Sequence, residues 1–147
     1  METLTLSHYQ SLAEFRYQIR RFLHFSEEVA REAGIEPRQH QLLLAIKGLP
    51  ARERPNIGVL AERLQLRHHS TVELANRLAK AGLVWRKRDS EDRREVLLSL
   101  TAKGEKALRD LSIHHRAELQ TVGPALMKAL RRVLQAGKAR PRKTVAG

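Results

Sequence analysis

Residues 57–100 place the tightest constraint on the fold: two short helical segments with apolar faces, parted by a tight turn, precede an alternating strand pattern with a charged tip. In 57–64, Leu60, Ala61 and Leu64 share one helical face, and Asn56 is placed to cap that helix. Gln65, Leu66 and Arg67 form the turn. A second helix, beginning near Ser70 and stopping at Gly82, would bury Val72, Ala75, Leu78 and Ala79. It would turn His69, Glu73, Asn76, Arg77 and Lys80 outward, with Ser70 and Glu73 reading as a capping box. Trp85-Arg-Lys-Arg88, a polar tip at 89–93, and Val96, Leu98 and Leu100 on alternate positions predict a β-hairpin with one buried face. Helix, turn, helix and hairpin in this order predict a winged helix-turn-helix, within a mainly α (α+β) chain.

Helical periodicity also marks both flanks. Leu12, Phe15, Ile19, Phe22, Val29 and Ala33 recur at helical spacing over 4–33, and Gly34 ends that helix. Pro37 suits the first turn of a short buried helix carrying Leu42, Leu43 and Ile46, and the proline-rich run 48–55 is a connection. Thr101 can cap a final helical region reaching about residue 135, which proline is expected to interrupt near Gly123-Pro124, giving two long helices. Leu108, Leu111, Leu119, Val122, Leu126, Leu130, Val133 and Leu134 are more apolar surface than so small a domain can hide alone, and a second copy would cover it. The expected division is a dimerisation helix at 1–34, a winged domain at 35–100, dimerisation helices at 101–135 and a basic disordered tail at 136–147.

Lys and Arg number 28 against 16 acids, a formal charge of +12, and the four cations of the tail account for only part of it. Such a field favours a polyanion. With no cysteine, disulfides, thiolate metal sites and thiol redox sensing are excluded. No glycine-rich phosphate loop, H-E-x-x-H or nucleophile turn is present, so neither an enzyme nor a cofactor is expected. The pairs His68-His69 and His114-His115 are adjacent and so cannot chelate alone. No metal site is expected, and the histidines read as surface or DNA-facing groups. The longest apolar stretches, 41–46 and 96–100, fall far short of the roughly 20 residues that cross a bilayer, and the first residues lack a secretory pattern. A cytoplasmic protein without membrane contact is the expectation.

In a winged helix the second helix enters a major groove and the hairpin reaches the adjoining backbone or minor groove of double-stranded DNA. The residues expected to face DNA are His68, His69, Ser70, Thr71, Asn76, Arg77 and Lys80 on the helix, and Arg86, Lys87, Arg88, Asp92, Arg93 and Arg94 on the wing. Three strings, IGVLAERL (57–64), LAKAGLV (78–84) and above all DSEDRREVLLSLTAKG (89–104), resemble the MarR family of winged helix-turn-helix transcriptional regulators, a likeness extending over roughly 10–135. The resemblance implies a homodimer with intertwined terminal helices, a wing-tip arginine at Arg94 entering a minor groove, and an aspartate at Asp92 orienting it. It also implies a repressor on a pseudo-palindromic operator, released by a small ligand, often an aromatic acid. Glu73 departs from the family pattern, where an arginine is frequent, and this bears on base preference. The competing reading is a winged-helix module for protein interaction or architectural DNA binding, without ligand response.

Overall fold

The computed structural model describes residues 1–135, so the tail expected at 136–147 lies outside the described residues. The elements are α1 (Leu6–Glu32), α2 (Pro37–Lys47), α3 (Ile57–Leu64), α4 (His68–Lys80), β1 (Val84–Arg88), β2 (Val96–Leu100) and α5 (Ala102–Gln135). This is the mainly helical winged helix-turn-helix expected from the sequence. The chain forms two compact units, Ser26–His115 and Met1–Phe25 with the segment from Arg116 onward.

In the unit Ser26–His115, α2, α3 and α4 pack on one another and against the hairpin. Leu42, Leu43, Leu60, Leu74, Leu78 and Leu98 are all but fully buried at the centre. Burying such a side chain contributes about 1.5–3 kcal/mol, so these leucines hold the three helices and the hairpin as one body. The strands pair antiparallel from Val84↔Leu100 to Arg88↔Val96. Beside β2 runs the end of the α2–α3 connection: Leu98 N donates to Pro55 O at 2.9 Å, and Asn56 bridges Leu97.

Helix ends follow local chemistry. After α1 and α4 the chain enters the left-handed region at Gly34 and Gly82, both at φ 75°, where a Cβ would be strained. At each end two backbone amides fold back on the last turn: Gly34 and Ile35 onto Arg31 and Ala30, Gly82 and Leu83 onto Ala79 and Leu78. The turn between α3 and α4 uses the same device with Gln65, the only non-glycine residue at positive φ among the described residues. Asn56 caps α3, its Oδ1 accepting from Val59 N at 2.8 Å. Thr101 caps α5 as expected: its Oγ1 accepts from Gly104 N at 3.0 Å and donates to Gly82 O at 2.6 Å.

The start of α4 differs from expectation. Arg67 occupies the N-cap position with extended backbone, and the helix already begins at His68. Ser70 therefore lies inside the first turn, where its hydroxyl cannot serve as an N-cap, and the expected Ser70–Glu73 capping box is not formed. The turn at Gln65 and Leu66 ends α3 compactly enough for α4 to start two residues early.

The second unit holds the segments 6–25 of α1 and 116–135 of α5. Here α5 continues through Pro124 as one helix, correcting the two helices expected at 101–135. Proline removes one backbone hydrogen bond and normally forces the preceding residue out of helical geometry through its Cβ and amide. Gly123 has no Cβ, and open space surrounds the place one would occupy. The clash with the preceding Cβ is thus absent, while the missing bond and the crowding of the ring against the carbonyl four residues back remain. Pro124→Ala is expected to stabilise the protein by about 1 kcal/mol, restoring a donor in an exposed helical turn. Chemical denaturation checks this, and an unchanged midpoint would mean that proline costs the helix nothing.

Candidate nucleic-acid interface

The face of α4 that turns away from the core carries His68, His69, Glu73, Asn76, Arg77 and Lys80, all exposed, while Ser70 is half-buried. Leu74, Ala75 and Leu78 are buried beneath them and Val72 partly so. Thr71, expected among the DNA-facing residues, is fully buried, and its hydroxyl donates to Arg67 O at 3.0 Å. The early start of α4 explains this: Thr71 stands one turn after Arg67, on the same side as Leu74, Ala75 and Leu78. It packs the helix and does not reach its outer surface. Glu73, left without a capping role, adds a carboxylate to an otherwise cationic or neutral face.

Arg86, Lys87, Arg88, Asp92, Arg93 and Arg94 are all exposed on the wing. Arg86 Nη1 donates to Asn76 Oδ1, tying the wing to the outer face of α4. Arg88 Nη1 donates to Arg93 O at 2.8 Å. The Asp92 carboxylate accepts from Arg94 N at 3.1 Å, and Glu95 N donates to Asp92 O at 3.0 Å, so Asp92 shapes the turn that presents Arg94. A cleft of about 380 Å³ separates the start of α4 from the wing, and His68, Val72, Arg86 and Arg94 face it. Residues 26 positions apart in the chain thus line one groove.

Four groups outside the residues expected to face DNA, Glu36, Arg54, Asp89 and Glu95, also shape this surface. Arg77 Nη2 lies 3.4 Å from Glu36 Oε2, an exposed pair in which the cation is held only weakly. Asp89, expected in the solvated tip, is 9% exposed and receives Arg54 at 2.7 Å. Glu95 receives Arg54 on one oxygen at 3.4 Å and Asn56 Nδ2 on the other at 2.6 Å. The Arg54 guanidinium holds the Asp89 carboxyl below the usual carboxylate range, outweighing burial, and the amides of Glu91 and Asp92 add to the effect. Local sequence carries no signal for these contacts, because partners 35 and more residues apart meet only when the hairpin folds back onto the α2–α3 connection.

Two histidines also depart from the surface role expected of them. His40 and His115 are buried with ring centroids 4.6 Å apart. His115 Nδ1 lies 2.6 Å from Leu111 O and Nε2 lies 2.6 Å from Ser26 Oγ. Since a carbonyl only accepts, Nδ1 carries a proton there. Burial, with the neighbouring His115, lowers the pKa of His40 to about 4.

Fold and surface together define a winged helix-turn-helix with a basic wing. A family model described as MarR family matches residues 33–95, which span α2 to the wing tip, and over that stretch the chain is similar to that family. Among solved structures it is similar to AbsC, a MarR family transcriptional regulator from Streptomyces coelicolor, at 21% identity and TM-score 0.74, covering 94% of each chain. It is also similar to a MarR family protein from Bacillus stearothermophilus at 21% identity and TM-score 0.70, covering 91% of this chain and 98% of that one. A mutant of S. aureus MepR bound to an oligodeoxyribonucleotide matches at 22% identity and TM-score 0.62, covering 92% of this chain and all of that one. No curated protein matches the chain. No helix among the described residues is long and apolar enough to cross a membrane.

Proposed function

We propose that the protein is a DNA-binding transcriptional regulator, a homodimer that sets two α4 helices in successive major grooves of a pseudo-palindromic site while the wings grip the flanking minor grooves. The observation that carries this reading is the cleft between α4 and the wing, which His68, Arg86 and Arg94 face, beside the exposed Asn76, Arg77 and Lys80. Arginine and asparagine at such positions match base-edge and phosphate acceptors, and the structural relative crystallised on an oligodeoxyribonucleotide supports the same use of the fold. Occupying a promoter would exclude polymerase, which favours repression. A small aromatic acid is the proposed releasing ligand, acting only if it prefers a dimer whose helices are wrongly spaced for DNA.

Dimerisation is assigned to the terminal segments 1–34 and 101–135. Leu6, Tyr9, Leu119, Met127 and Leu134 stay exposed there, apolar surface that a second copy would cover. Leu134 alone is 66% exposed.

Anisotropy titrations on duplex from upstream of the protein's own gene and on scrambled duplex, at two salt concentrations, test the function. Affinity for the specific duplex should fall with salt at a log–log slope of about −0.9 per phosphate neutralised. Arg94→Ala should weaken specific binding about tenfold and leave the fold intact, because the side chain is exposed and its loss removes a groove contact. Unchanged affinity would remove Arg94 from the interface. Equal binding to both duplexes would favour an architectural role. A folded dimer that binds neither duplex would favour the protein-interaction module.

A further inference from the structure

The wing is a two-stranded hairpin, which has little stability of its own, and its tip must hold a fixed direction if Arg93 and Arg94 are to reach a groove. Its base is closed by Asp89 N donating to Glu95 O at 2.9 Å. Both residues that close it are acidic, and the tip between them carries Glu91 and Asp92 beside Arg93 and Arg94. Their carboxylates would repel each other and would repel phosphate.

One side chain answers both problems. Arg54, from the α2–α3 connection, sets Nη2 at 2.7 Å from Asp89 Oδ2 and Nη1 at 3.4 Å from Glu95 Oε2. The planar guanidinium spans two carboxylates that a lysine ammonium would meet only one at a time. The free oxygen of Glu95 is taken by Asn56 Nδ2 at 2.6 Å, while Asn56 Oδ1 caps α3. Pro55 O accepts from Leu98 N. Residues 54–56 thus act as a strap that joins the wing base to the first turn of α3. Arg54 is about half exposed, so it is not needed to fill the core.

We infer that Arg54 is the positioning residue of the wing, clamping Asp89 and Glu95 so that the tip arginines are held ready for DNA. The inference rests on the DNA-binding reading for its purpose, but the clamp itself can be read without DNA. Arg54 acts through the wing and contacts no base.

The experiment compares wild type, Arg54→Ala, Arg54→Lys and Arg52→Ala. Arg52→Ala removes the same charge from an exposed neighbour in the same connection. Amide hydrogen exchange, without DNA, should show faster exchange at Asp89, Arg94 and Glu95 in Arg54→Ala, an intermediate effect in Arg54→Lys and none in Arg52→Ala. Unchanged exchange at those amides in Arg54→Ala overturns the clamp whatever happens with duplex. In duplex binding, Arg54→Ala should lose about tenfold in affinity, yet cost less than twofold when Arg94→Ala is already present. Full additivity with Arg94→Ala, or an equal loss from Arg52→Ala, overturns the positioning role, since Arg54 would then act as an independent cation. Faster exchange in Arg54→Ala, with a wild-type protein that binds no duplex, would uphold the clamp and overturn its use in DNA binding, together with the reading it rests on.

Discussion

Gly104→Ala is expected to destabilise the protein by about 2–3 kcal/mol. A Cβ at this position would stand 2.0 Å from Leu83 O, closer than real Cβ atoms come, and a tight 3.0 Å from Leu83 C. The obstacle is backbone, so no side chain can swing aside. The same Leu83 carbonyl accepts from Thr101 N at 3.1 Å, and Lys103 Nζ donates to Ala81 O at 2.9 Å, so the first turn of α5 is fastened to the turn after α4 at several points. Relief requires moving α5 or breaking those bonds. Alanine's better helix propensity returns only about 1 kcal/mol. The melting temperature should fall by roughly 10 °C for a chain of this size. Gly58→Ala is the contrast, since a Cβ there meets only Asn56 Oδ1 at 3.7 Å, an ordinary contact. If the two variants melt together, the close approach at Leu83 is not what requires glycine at 104.

Acidification provides the second large effect. His40 is buried, its pKa is lowered to about 4 by burial and by His115, and in the unfolded chain it titrates near 6.5. Above pH 6.5 both states hold it neutral, and stability owes nothing to its protonation. Between pH 6.5 and 4 the unfolded chain takes up a proton that the folded protein refuses, so stability falls with falling pH, by about 3 kcal/mol over the window. The Asp89 carboxyl, held below its usual range, adds a loss only as pH drops below the ordinary carboxylate range. His40→Leu separates the two. Denaturant midpoints at pH 7.5 and 4.5 should converge in the variant far more than in wild type. Parallel losses in both proteins would show that His40 is not the group that resists protonation.

Much of the architecture was legible in the sequence because it rests on short-range chemistry. Apolar spacing placed α1, α3, α4 and the hairpin, and Gly34, Gly82, Asn56 and Thr101 ended or began helices as their side chains dictate. The outward set His69, Glu73, Asn76, Arg77 and Lys80 followed from the 3.6-residue period alone. Errors arose where two local rules competed. Proline at 124 predicts a break, yet Gly123 before it lacks the Cβ whose clash favours one, and α5 runs through. Ser70 suits a cap by residue type, yet α4 starts earlier, after the turn at Gln65, and Thr71 falls in the core.

What the sequence determined by itself was the order of elements, the faces of α4 and the basic wing, because each depends on the periodicity and charge of residues near one another in the chain. Only the tertiary structure decided that Arg54 would clasp Asp89 and Glu95, that His40 would stack near His115, and that Gly104 would press on Leu83. These pairs are separated by 35, 41, 75 and 21 positions in the numbering. Hydrophobic patterning is blind to them: the burial that brings them together is non-directional, and the partner is selected by the path of the backbone once the core has closed.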